Sequence, residues 1–171
     1  MFLKNRYHYQ GTLVTKEETY TGEFADDSYS GQGTCTYSNG DVYTGSWRSG
    51  QKNGFGKMQY ADGSTYEGAW AKDMYEGEGI YTWTDGAIYQ GLFVRDKQQG
   101  RGILTEPNGT RYEGDFSDDE FHGFGTLYKK SGVVYEGNFV KGKKHGIFRV
   151  RHSSIETAEQ VAFVNDVIQR N

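Results

Sequence analysis

The sequence predicts an all-β fold: an elongated single-layer antiparallel β-meander of repeated 23-residue hairpins, with a short C-terminal α-helix. Three observations predict it. Tyrosines recur at 20, 43, 66, 89, 112 and 135, an interval of 23 residues without insertion or deletion. Glycine follows each two residues later (Gly22, Gly45, Gly68, Gly91, Gly114, Gly137), and an aromatic two beyond that (Phe24, Trp47, Trp70, Phe93, Phe116, Phe139). The composition agrees, with 25 Gly, 14 Tyr and 10 Phe but 1 Pro in 171 residues, which suits strands and turns rather than collagen or a disordered linker.

Side chains alternate along a strand, so Tyr66, Gly68 and Trp70 share one face and Glu67 and Ala69 the other. A second glycine pair, at 31/33, 54/56, 77/79, 100/102 and 123/125, opens the next strand and decays to Gly146 and Phe148 in the last unit. The variable hexapeptide, Ala71–Glu76 in this unit, joins the two strands. Asn39-Gly40, Asp62-Gly63, Asp85-Gly86 and Asn108-Gly109 then predict two-residue hairpin turns with positive φ, and Ser131-Gly132 stands in the same place. With no second sheet to bury against, the large rings are expected to lie flat over glycine backbone of the neighbouring strand. Some 12–14 strands at about 4.8 Å each predict a ribbon around 60 Å long.

In chain order, residues 1–19 read as a degenerate capping half-repeat: Gly11 aligns with Gly33, but Tyr9 stands at the other glycine position. Residues 20–152 are six full repeats. Residues 153–171 are expected to form a capping helix, opened by a Ser153–Glu156 capping box. Ile155, Ala158, Val161, Ala162, Val164 and Ile168 give that helix an apolar arc, with Phe163 and Val167 outside it. The arc either caps the last hairpin or leaves a second face for a partner.

The pattern Y-x-G-x-W/F … G-x-G … D/N-G at this period resembles the MORN repeat (membrane occupation and recognition nexus), over about four fifths of the chain. MORN arrays occur in junctional membrane proteins, lipid kinases, part of a lysine methyltransferase, ciliary radial-spoke proteins and parasite cytoskeletal scaffolds. The resemblance implies a non-catalytic scaffold or adaptor whose groove holds a partner protein, sometimes as a homodimer joined through one end. It also implies a cytoplasmic, cytoskeleton-associated setting such as a cilium or flagellum. Nothing in the chain resembles the kinase or methyltransferase modules.

The concave face of such a sheet would suit a helical or extended segment of another protein. Tyr43, Trp47, Tyr66, Trp70, Tyr89, Phe93, Tyr112 and Phe116 are expected to form its central wall. Tyr29, Met74, Tyr75 and Phe121 sit in hexapeptides that are otherwise polar, and they serve either partner contact or local packing. A basic end (Lys129, Lys130, Lys141, Lys143, Lys144, Arg149, Arg151, against Glu136 alone between 129 and 152) offers an alternative: a peripheral adaptor for anionic phospholipid or an acidic partner. Those cations equally serve as a solubilising terminus.

Other chemistry finds little support. His122 and His145 take equivalent positions in successive units, about 10 Å apart on one edge, with no third ligand; neither a metal nor a cofactor is expected. Cys35 stands where other units have Met58, Tyr81, Leu104 and Leu127, so it reads as a packed apolar residue. One cysteine excludes an internal disulfide, and MFLKNRYHYQ lacks the apolar run of a signal peptide. Asp118-Asp119-Glu120 reads as a solvated loop and Asn108-Gly109-Thr110 as a turn. No nucleophile–base pair is evident, and a net charge of −4 argues against nucleic acid as a partner.

Overall fold

The computed structural model describes residues 8–152, 154 and 157–169. The chain divides into two compact units, Met1–Thr84 and Asp85–Asn171. The first holds β1 (His8–Val14), β2 (Glu18–Ala25), β3 (Ser28–Tyr37), β4 (Val42–Arg48), β5 (Gln51–Gln59), β6 (Thr65–Ala71) and β7 (Met74–Thr82). The second holds β8 (Ile88–Val94), β9 (Lys97–Thr105), β10 (Arg111–Ser117), β11 (Glu120–Tyr128), β12 (Val133–Val140), β13 (Lys143–Lys144), β14 (Gly146–His152), β15 (Ala158–Val164) and β16 (Val167–Ile168). Within each unit the strands pair antiparallel in chain order, the two-residue β13 lying off the path against β12. The fold is an all-β meander.

Glycines set the register. Gly22 faces Gly33, Gly33 faces Gly45, and the line continues through Gly56 and Gly68 to Gly79. Gly91, Gly102, Gly114, Gly125 and Gly137 repeat it in the second unit. The close approach demands glycine: a Cβ on Gly68 would lie 2.5 Å from the Gly79 Cα, and one on Gly79 2.6 Å from the Tyr66 hydroxyl. Tyr20, Tyr43, Tyr66, Tyr89 and Tyr112 do lie over that glycine line, whereas in the last repeat Phe148 covers Gly137.

Each of the first five repeats also slips register once, between Gly68 and Trp70 in the third, where Gly77 supplies a positive φ of 86° on the facing strand. The tyrosine hydroxyl donates to the carbonyl at the slip: Tyr66 to Ala69 at 2.8 Å, Tyr20 to Glu23 at 2.8 Å, and Tyr43 to Ser46 at 3.0 Å. Tyr89 to Leu92 and Tyr112 to Asp115 follow suit at 3.0 Å. Trp70 meets Tyr66 edge-on at 5.1 Å, and its Nε1 donates to the Gly56 carbonyl at 3.2 Å. Ring against ring, this row forms the core.

The turns are the reverse of the sequence expectation. The two-residue turns lie in the hexapeptides, where both central residues are left-handed: Lys72-Asp73 has φ 53° and 69°, and Asp118-Asp119 has 50° and 69°. The preceding loop holds them there. The Asp73 carboxylate accepts from Lys52 N at 2.9 Å, while Asp73 N donates to the Lys52 carbonyl at 3.1 Å. At Asn39-Gly40 only the glycine has positive φ, 96°. Gly40 N donates to Tyr37 O and Tyr37 N to Asp41 O, each at 2.9 Å, closing a three-residue loop that ends in a bulge glycine.

The C-terminal helix is not formed. Ser153, Ile155 and Glu156 lie outside the described residues, and Ala158–Val164 is strand β15 on the open edge of β14. Phe163 falls 24 residues after Phe139 and packs edge-on against Phe148 at 5.4 Å. Asn165-Asp166 then makes the same left-handed turn, with φ 50° and 70°. The segment is a seventh, shifted half-unit, its helical arc outweighed by an edge that needed pairing and by β-branched Val161, Val164, Val167 and Ile168. At the other end β1 covers β2, with Gly11 opposite Gly22 and Tyr9 stacked on Phe24 at 5.0 Å.

Candidate partner-binding face

The eight rings expected to form an open groove wall are core. Tyr43, Tyr66 and Tyr89 are 0% exposed and Tyr112 1%; Trp47, Trp70, Phe93 and Phe116 lie between 3% and 5%. Edge-to-face contacts close the row, as between Tyr43 and Trp70 (5.3 Å) or Tyr112 and Phe139 (5.2 Å), so little ring surface remains for a ligand. Their role is to carry residues lying farther out on the same face.

The loop side forms the next row. Tyr29 stacks on Tyr20 at 3.7 Å, Tyr75 on Tyr66 at 3.8 Å and Phe121 on Tyr112 at 3.8 Å, so these three cover the motif tyrosines. Met74 begins β7 opposite Ala71 and is half-buried. The intervening units hold Lys52, Gln98 and Lys144 at the equivalent position. The Lys52 ammonium sits 4.9 Å from the Trp70 ring centroid, and Lys144 lies 5.1 Å from Tyr135 and 5.2 Å from Phe163. The row therefore alternates aromatic and polar with a period of two repeats, an order that sequence reading missed because it compared neighbouring units.

A third row, also missed, lies beside the Asx-Gly turns of the first unit. Tyr37, Tyr60 and Trp83 follow Cys35, Met58 and Tyr81 by two residues, at the 23-residue interval, and all three are half-buried. The same interval, read two residues before the turn rather than within the motif, reveals it. Trp83 packs on Tyr81 at 4.8 Å, Tyr81 donates to Ser64 Oγ at 3.3 Å, and the Tyr60 and Tyr75 hydroxyls are hydrogen-bonded to each other. In the second unit the row continues as Glu106, Lys129 and His152, and the face there holds a cavity of about 170 Å³ floored by Leu104, Phe121 and Leu127. The aromatic part of the row belongs to the first unit alone.

Cys35 is fully buried, and its thiol donates to Glu18 Oε2 at 3.2 Å while the Tyr29 hydroxyl donates to Oε1 at 2.6 Å. Burial, reinforced by that carboxylate, pushes the thiol up to about 12, which leaves it a packed group and a poor nucleophile. The acidic loop is exposed, as expected, and is also engaged: Asp118 pairs with Lys97 at 2.7 Å and Asp119 accepts from Gln98 N at 2.8 Å. Thr110 N donates to Asn108 Oδ1 at 2.7 Å, holding the Asn108-Gly109 turn. Among the described residues no three His, Cys, Asp or Glu are grouped to hold a metal ion, and no helix is long and apolar enough to cross a membrane.

Two of the seven cations at the basic end already have acids. Lys144 pairs with Asp166 at 2.6 Å and Arg149 reaches Glu136 at 3.8 Å, whereas Lys141, Lys143 and Arg151 form no ion pair among the described residues.

A meander of glycine-registered hairpins with its motif aromatics on one face defines a repeat-built β-protein. The MORN repeat profile matches residues 20–42, 43–65, 66–88, 89–111, 112–134 and 135–147, and the chain belongs to the MORN repeat family. Comparison with curated protein sequences gave no match. Among solved structures the chain is similar to the TCP domain of SAS-4 (dCPAP) of Drosophila melanogaster in complex with a proline rich motif of Ana2 (dSTIL). That likeness has a TM-score of 0.46 and 14% identity, over 77% of this chain and 76% of that one. It is also similar to the TCP10 domain of Danio rerio CPAP in complex with a peptide of Danio rerio STIL, with a TM-score of 0.27 and 13% identity, over 92% and 100% of the two chains.

Proposed function

We propose that the chain is a non-catalytic scaffold that captures a segment of a partner protein on its aromatic face, in a cytoskeletal or ciliary assembly. One observation carries the reading: beyond the buried motif rings, the same face presents a further row of half-buried aromatic residues, Tyr37, Tyr60 and Trp83, that the repeat itself does not require. Aromatic side chains with an apolar body and a polar tip are the residues that dominate protein interfaces. The choice of assembly is supported by the family resemblance alone. Selection of displayed peptide segments against the whole chain tests it, repeated with Trp83→Ser. Segments bound by the parent and lost by the variant support the reading; segments held equally by both overturn it.

A second reading, a peripheral adaptor on anionic phospholipid, is favoured by Lys141, Lys143 and Arg151, which form no ion pair among the described residues, although the charge of Lys143 is felt by Asp166. Its test is co-sedimentation with phosphatidylserine vesicles. Binding weakened by salt and by Lys141→Gln with Lys143→Gln supports it, and binding indifferent to both refutes it.

A further inference from the structure

We propose that the Tyr37–Tyr60–Trp83 row is a docking strip for a polyproline II segment carrying prolines at every third position and a basic residue beside them. The inference rests on the scaffold reading and names the chemistry of its partner.

The geometry is a match of two periods. Successive aromatics of the row are one repeat apart, which is two strands, or about 9.6 Å across the sheet. A polyproline II helix advances about 9.3 Å per three-residue turn. A proline at every third position therefore meets Tyr37, Tyr60 and Trp83 in succession, with a mismatch of about 0.3 Å per step. An α-helix advances about 5.4 Å per turn and keeps no such register. A β-strand laid across the row places side chains about 6.6 Å apart on one face and also drifts.

The chemistry agrees with the pitch. Flat rings with hydroxyl or indole edges are the surfaces on which proline rings pack, and a preformed polyproline helix loses little conformational entropy on docking. Its backbone carbonyls, unpaired within the helix, accept from the Trp83 indole N–H, whereas the Tyr60 hydroxyl is already bonded to that of Tyr75 and offers its ring.

The charge on this margin selects the flanking residue. The turns Tyr37–Asp41 and Tyr60–Ser64 carry Asp41 and Asp62 and no lysine or arginine, although the Lys52 ammonium stands 5.7 Å from the Tyr37 ring centroid on the inner side of the row. Asp62 is held below the usual carboxylate range by the hydroxyl and then the backbone N of Ser64, so it stays ionised at neutral pH. A basic side chain on the segment answers these two charges. The exposed apolar residues of the opposite face, Phe55, Phe124 and Ile147, offer no comparable row, since Glu78 and Arg101 hold the intervening repeats.

The experiment titrates the full chain against a fluorescein-labelled peptide with prolines at every third position and terminal arginines, beside a control with prolines at every fourth. Saturable binding of the first is expected, weakened about tenfold or more in the control and in Trp83→Ser. Trp83→Phe keeps the ring and retains binding, which separates loss of the contact from loss of the fold. Asp62→Asn preserves the Ser64 hydrogen bonds and weakens the arginine peptide without affecting one lacking arginine. Equal affinity for both spacings, or unchanged affinity in Trp83→Ser, overturns the proposal. Failure of this peptide, where other displayed segments still depend on Trp83, overturns the polyproline assignment and leaves the scaffold reading in place.

Discussion

The Tyr66 hydroxyl donates to the Ala69 carbonyl across 2.8 Å, at the point where β6 and β7 slip register. This bond, repeated by Tyr20, Tyr43, Tyr89 and Tyr112, explains why the first aromatic of the first five repeats is tyrosine while the second is either tryptophan or phenylalanine. Tyr66→Phe keeps the ring over Gly79 but leaves a buried carbonyl without its donor. The expected cost is about 1–3 kcal/mol, read from urea unfolding of the full chain.

Gly68 and Gly79 face each other with no room for a methyl group. A Cβ at Gly68 meets the Gly79 Cα at 2.5 Å and the Tyr66 hydroxyl at 2.7 Å, so backbone as well as side chain would have to move. Gly68→Ala is expected to destabilise by about 3 kcal/mol or more, above Tyr66→Phe, in the same unfolding measurement. Gly63→Ala tests a different cause, because its open surroundings leave only the positive φ of 95° to resist the methyl group.

Alkaline pH acts on buried acids of the first unit. Burial and the Glu18 carboxylate lift Cys35 from 9.0 to about 12, and burial with Glu23 lifts Tyr20 from 10.0 to about 12. Both groups are held neutral in the folded state. The stability this contributes is present in full below the unfolded values and is lost as pH rises through the folded ones. The melting temperature is expected to fall between about pH 9 and pH 12. Cys35→Ala should flatten the early part of that decline, and the thiol should resist iodoacetamide at pH 9 until the chain is unfolded.

Much of the fold was legible because the repeat declares itself. Tyr66, Gly68, Trp70 and Gly79 recur at a fixed interval, and alternation alone placed them on one face of a strand. The turn chemistry was misread at Asp62-Gly63 because its dipeptide suits a two-residue turn. The left-handed pair at Lys72-Asp73 is instead imposed by bonds to Lys52 in the preceding loop, which local sequence does not display. The last hairpin was hidden by its one-residue shift and by an apolar spacing that also fits a helix. The aromatic face was identified, yet the rings assigned to binding are those most deeply buried. A periodic aromatic in a thin protein must first supply the core. Tyr37, Tyr60 and Trp83, the residues proposed for recognition, share the period without belonging to the motif.

The chain contains three tryptophans, and their indole N–H resonances separate core from contact. Trp47 and Trp70 are buried, with Nε1 donating to the Gly33 and Gly56 carbonyls at 3.2 Å, whereas Trp83 is half-buried beside the turn. Titration of the nitrogen-15-labelled chain with the arginine-flanked proline peptide reads all three at once. The account predicts a saturable shift of the Trp83 indole signal with those of Trp47 and Trp70 unmoved. Movement of Trp47 or Trp70 with Trp83 unchanged would contradict it.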